Sequence, residues 1–279
     1  MKTLKYYLKK AQKEKWAIGQ FNFSNSETLK AIIQAAEKLK SPVILGTSEG
    51  ESRSIGMLQA VALVKSYKKK RGPSIFLNLD HGKSFNYIKK AIDAGYNSVH
   101  FDGSELLLNK NIKAIKKVIK YARKKNVLVE GEVGIIGQAL GAKGVLTDSF
   151  EARRFIKETK ADTLAIAIGN LHGIRPSGTN PKLDLKRLKE IKEKAGVVPL
   201  VLHGGSGSPK EDVKKAIKSG IVKININTEL RMAYTKTLRK VLKKKPKEIT
   251  PYKYMLEVIK AAQKVVEEKI KLFGSANKV

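Results

Sequence analysis

Eight short apolar runs recur along the chain, and a longer segment of helical period follows each one. They occupy residues 17–23, 42–47, 74–80, 98–102, 127–132, 163–169, 198–203 and 222–227. Most are continuous rather than alternating in polarity. Strands covered on both faces look like this, so the pattern points to a parallel sheet. Over 27–40, Leu29, Ile32, Ile33 and Ala36 form one helical stripe, with Ser26 as the expected N-cap. Over 109–125, Ile112, Ile115, Val118, Ile119 and Ala122 do the same after Asn109. Ser208-Pro209-Lys210-Glu211 reads as a capping box with Pro at the first helical position, and Gly220 ends that helix. Beyond about residue 246 one further long helix carries Leu256, Ile259, Ala262, Val266 and Ile270. No linker or domain break interrupts residues 1–279. The expected fold is therefore α/β: a single (β/α)8 TIM barrel with a C-terminal helical extension, a doubly wound sheet being the alternative.

Composition narrows the chemistry. The 279 residues include no cysteine, which excludes disulfides, thiolate nucleophiles and Cys-held metals. Any metal must be held by His, Asp or Glu. The 57 Lys+Arg against 25 Asp+Glu leave a net charge of +32. Basic residues are spread along the whole chain rather than clustered around a nucleic-acid motif, as a solvated lysine coat would be. Such a field also attracts anionic small molecules such as sugar phosphates. No apolar run approaches the ~18 residues that span a bilayer, and no apolar core follows the basic start. The expectation is a cytoplasmic protein without export or membrane attachment.

Chemistry in a (β/α)8 barrel occupies the carboxyl ends of the strands. Asp80 and His81 end the third run, Asp102 the fourth, and Glu130 and Glu132 the fifth. His172 follows the sixth, His203 ends the seventh, and Asn225 and Asn227 end the eighth. Three of the four histidines thus sit at strand ends, each followed by glycine; His100 lies inside a strand and reads as core or barrel lining. Three imidazoles on three strand ends can converge on one cation. They suit Zn2+ and leave a position open for substrate. Gly204-Gly205-Ser206-Gly207 and Asn225-Ile226-Asn227-Thr228 follow the seventh and eighth strands, where barrels commonly bind phosphate, and Thr228 is the expected cap of the next helix. Together these suggest a phosphorylated substrate with an oxygen on the metal. Lys223 begins the eighth run and so is expected to face the wrong end for Schiff-base chemistry.

In these residues the chain resembles the class II, zinc-dependent ketose-bisphosphate aldolases, which act on fructose and tagatose bisphosphates. The resemblance is carried by F-N-F-S-N-S-E-T (21–28), V-I-L-G-T-S-E-G (43–50), N-L-D-H-G (78–82) and A-I-D-A-G-Y-N-S-V-H-F-D-G-S (91–104). It continues through E-G-E-V-G (130–134), L-A-I-A-I-G-N-L-H-G (164–173), L-V-L-H-G-G-S-G (200–207), K-I-N-I-N-T-E-L (223–230) and G-S-A-N-K (274–278). It implies a glycolytic lyase in which His81, His172 and His203 bind catalytic Zn2+. Asp80 would be the general acid/base at the C4 hydroxyl. Asp102 and Glu132 would offer an alternative metal position, with room for a second divalent or a monovalent cation. Gly173, Gly204, Gly205, Ser206, Asn225, Ile226, Asn227 and Thr228 would hold the dihydroxyacetone phosphate half, Asn225 also steadying the enediolate. Arg231 would take the second phosphate, and Ser48 would touch the sugar. The family also implies a homodimer or homotetramer.

One departure stands out. Members of that family usually carry an acidic pair in the loop after the fifth strand, where residues 134–144 contain no acid and read Gln138-Ala139-Leu140 instead. The leading expectation is cleavage of fructose 1,6-bisphosphate. The alternatives are a tagatose-bisphosphate or other ketose-phosphate aldolase, or a phosphosugar- or nucleic-acid-binding relative with impaired turnover.

Overall fold

Residues 18–22 pair in parallel with 43–46 on one side and with 223–226 on the other, so the sheet closes on itself. The computed structural model describes residues 2–71 and 74–279. Its strands in chain order are β1 (Ile18–Asn22), β2 (Val43–Ser48), β3 (Ile75–Gly82), β4 (Ser98–Phe101), β5 (Leu128–Val133), β6 (Gly137–Gln138), β7 (Thr163–Ile166), β8 (Leu171–His172), β9 (Leu200–Leu202) and β10 (Ile221–Ile226). Eight of them form the closed barrel β1-β2-β3-β4-β5-β7-β9-β10. The short β6 and β8 pair with each other above its rim. Each of the eight apolar runs thus became a barrel strand, and the doubly wound alternative is excluded.

The helices are α1 (Leu4–Glu14), α2 (Ser26–Lys38), α3 (Glu49–Ile55), α4 (Met57–Arg71), α5 (Phe85–Ala94), α6 (Leu108–Arg123), α7 (Ser149–Thr159), α8 (Leu185–Ala195), α9 (Lys210–Lys218), α10 (Thr228–Lys244) and α11 (Pro251–Leu272). Alternate strand residues such as Leu45, Leu77, Val99, Leu202 and Ile224 face outward onto the helix ring and form the main core. A second apolar cluster fills the amino end of the barrel. There Leu4, Tyr7, Leu8 and Ala11 of α1 cover Trp16, Ile18, Ile44, Phe76 and Val222. With that end plugged, the interior above it is polar, and Gln20, Asn22, Asn78, Asp80, His100, Glu130, Glu132, Lys223 and Asn225 are all buried. Among the described residues, no helix is long and apolar enough to cross a membrane.

Several helix starts differ from expectation. Asn25, not Ser26, caps α2, because its extended backbone lets the side chain accept from Thr28 N. α6 begins at Leu108 without a side-chain cap, and Asn109 instead accepts from Arg154 Nη2 at 2.6 Å. α9 also lacks a side-chain cap, with Pro209 at the cap position; Ser208 Oγ is turned back onto Gly204 O at 3.3 Å. Thr228 is the first residue of α10, after Asn227 as cap. On α11, Ile259, Ala262, Val266 and Ile270 are buried as expected, but Leu256 is exposed.

Candidate active site

The carboxyl end of the barrel opens into a cleft of about 610 Å³. Of the residues singled out from sequence, Ser48, Asp80, His81, His172, Gly173, His203, Gly204, Ser206, Asn225, Asn227, Thr228 and Arg231 line it. Gly205 and Ile226 lie beneath the lining: a Cβ on Gly205 would meet Ile224 Cγ2 at 2.5 Å, and Ile226 is fully buried. Asp102 and Glu132 sit behind His81. The cleft also takes in Asn22, Gly50, Glu51 and Gln138, which sequence reasoning did not assign.

His81 lies at the end of β3 in the left-handed region, with φ 52°. A non-glycine residue held there carries strain that its surroundings must over-determine. Its backbone N–H donates to His100 Nδ1 at 3.2 Å, and its ring Nδ1 meets Asp102 Oδ2 at 2.8 Å. Asp102 is further engaged by Lys83 Nζ at 2.8 Å and by Ser104. His203, at the end of β9, is pinned in the same manner: its Nε2 meets Glu130 Oε1 at 2.8 Å. Glu130 in turn accepts from Lys223 Nζ at 2.8 and 3.0 Å. Lys223 therefore does not face the wrong end. Its side chain runs up inside the barrel to a carboxylate that touches the histidine cluster.

These carboxylates dictate which imidazole nitrogens carry protons. An ionised carboxylate only accepts, so His81 Nδ1 and His203 Nε2 are the donors. The opposite nitrogens, His81 Nε2 and His203 Nδ1, then face each other at 3.0 Å. Two lone pairs at that distance require a cation between them or a shared proton. Without a metal the proton settles on His81: burial opposes its charge, but Asp80 and Asp102 outweigh burial and raise its pKa to about 9. Burial and the His81 charge push His172 down to about 4. His203 is also lowered, chiefly by burial, against the pull of Glu130.

Donor atoms of Asp80, His81, His100 and His203 lie within 4.8 Å of one another, and so do those of His81, Asp102 and Glu132. The His172 ring lies 5.0 Å from that of His81 and 6.4 Å from that of His203, outside these tight groups. His100 lines the barrel as expected, yet it belongs to the first group. Its Nδ1 accepts the His81 N–H, so its Nε2 carries the proton and faces Glu132 Oε2 at 3.2 Å. Facing lone pairs and an imidazole–carboxylate donor set fit a divalent cation.

Asp80 is clamped beside this cluster. Its Oδ2 accepts from Asn22 Nδ2 at 2.9 Å and its Oδ1 from Asn225 Nδ2 at 3.0 Å. Burial alone would raise its pKa, but the charges of His81, His203 and Lys223 hold it well below the usual carboxylate range.

The glycine loop is partly committed to the protein. Gly205 N donates to Asn225 O at 3.0 Å and Gly207 N to Glu229 Oε1 at 2.7 Å. Gly204 is held at φ 61°, where a Cβ would come within 2.2 Å of Leu171 O. Asn180 Nδ2 ties the loop to its neighbour, donating to Ser206 O and Gly173 O. Arg231 is exposed at the mouth of the cleft, one turn into α10. The loop of 134–144 packs back on β8, with Ala139 N donating to His172 O at 2.8 Å, and presents Gln138 to the cleft. One signal for the missed residues lay in the sequence. Gln20 and Asn22, Asn78 and Asp80, Glu130 and Glu132 recur at every second position, the period of an inward strand face.

A family model described as fructose-bisphosphate aldolase class-II matches residues 2–278. The chain is 39% identical over 283 aligned residues to a fructose-bisphosphate aldolase of Geobacillus stearothermophilus, covering 99% of this chain and 98% of that one. It is 40% identical to the probable fructose-bisphosphate aldolase of Bacillus subtilis, covering 97% and 96% of the two chains. The crystal structure of the YdjI aldolase from Escherichia coli K12 superposes with a TM-score of 0.87 at 34% identity, over 99% of this chain and 98% of that one. A match from end to end, on a barrel that gathers acids and imidazoles at its catalytic rim, places this chain in the class II fructose-bisphosphate aldolase family, and so among the lyases.

Proposed function

We propose that this chain cleaves fructose 1,6-bisphosphate reversibly to dihydroxyacetone phosphate and glyceraldehyde 3-phosphate, with Zn2+ held by His81, His172 and His203. The observation that carries the reading is Asp80, an ionised carboxylate clamped by two carboxamides beside the facing nitrogens of His81 and His203. Retro-aldol cleavage needs a base for the C4 hydroxyl proton, and Asp80 is the base that takes it. Zn2+ bound there supplies a Lewis acid for the negative charge left as the C3–C4 bond breaks. Asp102 and Glu130 keep His81 and His203 in the tautomers that turn a lone pair toward the ion. Asp102 and Glu132, within reach of one another behind His81, would offer the alternative position for a second cation.

The phosphate of the dihydroxyacetone half sits against Gly173, Gly204, Gly205, Ser206 and the start of α10 from Asn225 through Ile226 and Asn227 to Thr228. Backbone N–H groups and the helix N-terminus favour an anion there. Arg231 takes the second phosphate at the mouth, and Ser48 contacts the sugar. The test is a coupled cleavage assay on fructose and tagatose bisphosphates, run beside metal analysis of the purified protein. Fructose bisphosphate is cleaved preferentially, the activity disappears with chelator, and added Zn2+ restores it. Turnover that survives complete metal removal defeats the mechanism. Metal binding without turnover of either sugar supports the impaired relative instead, for which the acid-free loop of 134–144 is the motivation.

A further inference from the structure

Among the described residues two basic side chains are buried, Lys223 and Lys269. Lys223 holds Glu130 under the imidazole cluster. Lys269 belongs to α11, which packs along α10 on the flank of the barrel, and the cleavage scheme gives it no role. An ammonium taken out of water needs a counter-charge. Lys269 Nζ meets one in Glu229 Oε1 at 2.7 Å.

Glu229 is the acid in the first turn of α10, one residue past Thr228. The same Oε1 accepts from Gly207 N at 2.7 Å, and Glu229 N donates to Ser206 Oγ at 3.3 Å. The carboxylate thus fastens the glycine loop. Its neighbours Ser206 and Thr228 line the cleft, whereas Glu229 stands behind that lining. Backbone N–H groups and the helix N-terminus favour an anion at this corner. An uncompensated carboxylate beside them opposes that preference, because it repels a bound phosphate. The loop nevertheless needs an acceptor for Gly207 N. Lys269 reconciles the two demands, since it cancels the charge and leaves the acceptor in place.

We infer that Lys269 is a positioning residue for the phosphate end of the cleft: by neutralising Glu229, it lets that carboxylate hold the glycine loop without repelling the anionic group of the substrate. That the anion is a sugar phosphate rests on the aldolase reading above; the relay from Lys269 through Glu229 to Gly207 does not.

Three variants separate charge from structure. Glu229→Gln keeps an acceptor for Gly207 N and drops the negative charge. Lys269→Met drops the positive charge and leaves the carboxylate uncompensated. The double variant drops both. Metal-loaded proteins are titrated calorimetrically with dihydroxyacetone phosphate, and cleavage of fructose 1,6-bisphosphate is followed in parallel. In Lys269→Met, Kd and KM rise by about tenfold, the effect of one nearby charge in a partly solvated site, with kcat changed by less than about twofold. Glu229→Gln binds at least as tightly as wild type, and the double variant returns to within about twofold of it, because both changes act on one interaction. Where Lys269→Met fails to fold, Glu229→Gln and the double variant still decide, because a lysine with only a structural task predicts weaker binding in both. Wild-type affinity in Lys269→Met, or weakened binding in Glu229→Gln or in the double variant, overturns the proposal. If wild type binds dihydroxyacetone phosphate but does not cleave the bisphosphate, the aldolase reading falls and the titrations still decide the role of Lys269. If wild type binds neither compound, both fall.

Discussion

Asp80 shows how one side chain is prepared by its neighbours. Two carboxamides aim it, and the charges around it keep it ionised. Under the proposed mechanism Asp80→Asn keeps the shape and removes the base, so kcat for cleavage falls by about 10²–10⁴ while metal content, measured by metal analysis, is retained. Asp102 acts one step further out, through the ring of His81. Asp102→Asn frees the His81 tautomer and weakens metal affinity by about 10–100-fold, read by competition with a chromogenic chelator. Lys223 is buried beneath the cluster with Glu130 as its partner. Lys223→Met leaves an uncompensated buried carboxylate and costs about 3–5 kcal/mol in a urea unfolding titration.

At the scale of elements, the strands were readable because two-sided burial writes a continuous apolar run. The helix starts were less so, because a cap depends on backbone direction and not on residue type alone. Ser26 and Asn25 are both good cap residues. Only the extended backbone at Asn25 decides between them. The glycine loop after β9 is a joint between strand and helix, and at Gly204 both the positive φ and the approach of Leu171 O require glycine. Gly204→Ala is therefore expected to destabilise the fold by more than about 1 kcal/mol in urea unfolding. It also raises KM for the bisphosphate, through displacement of Ser206.

At the scale of the whole molecule the net charge of +32 acts as a field. Its exposed ion pairs add little stability, but an anionic substrate is drawn inward. Raising ionic strength from 0.01 M to 0.15 M shortens the Debye length from about 30 Å to about 8 Å, so kcat/KM falls with salt while kcat holds. Chelation lowers the thermal midpoint, because an ion present at 100 times its Kd contributes about 2.7 kcal/mol to the folded state. Scanning calorimetry with and without chelator measures that shift. The barrel, its eight strands and the polar tips at one end were legible in the sequence, since local apolar periodicity and the strand order of a (β/α)8 chain are properties of neighbouring residues. What the sequence could not show was which inward side chains meet. His100 read as strand interior, Glu130 as a strand tip without a role and Lys223 as the wrong end, yet His100 packs on His81 and His203, and Glu130, held by Lys223, bonds His203. Closure brings strands far apart in the chain side by side and sets their stagger, and that long-range geometry, absent from any local stretch, assembles the site.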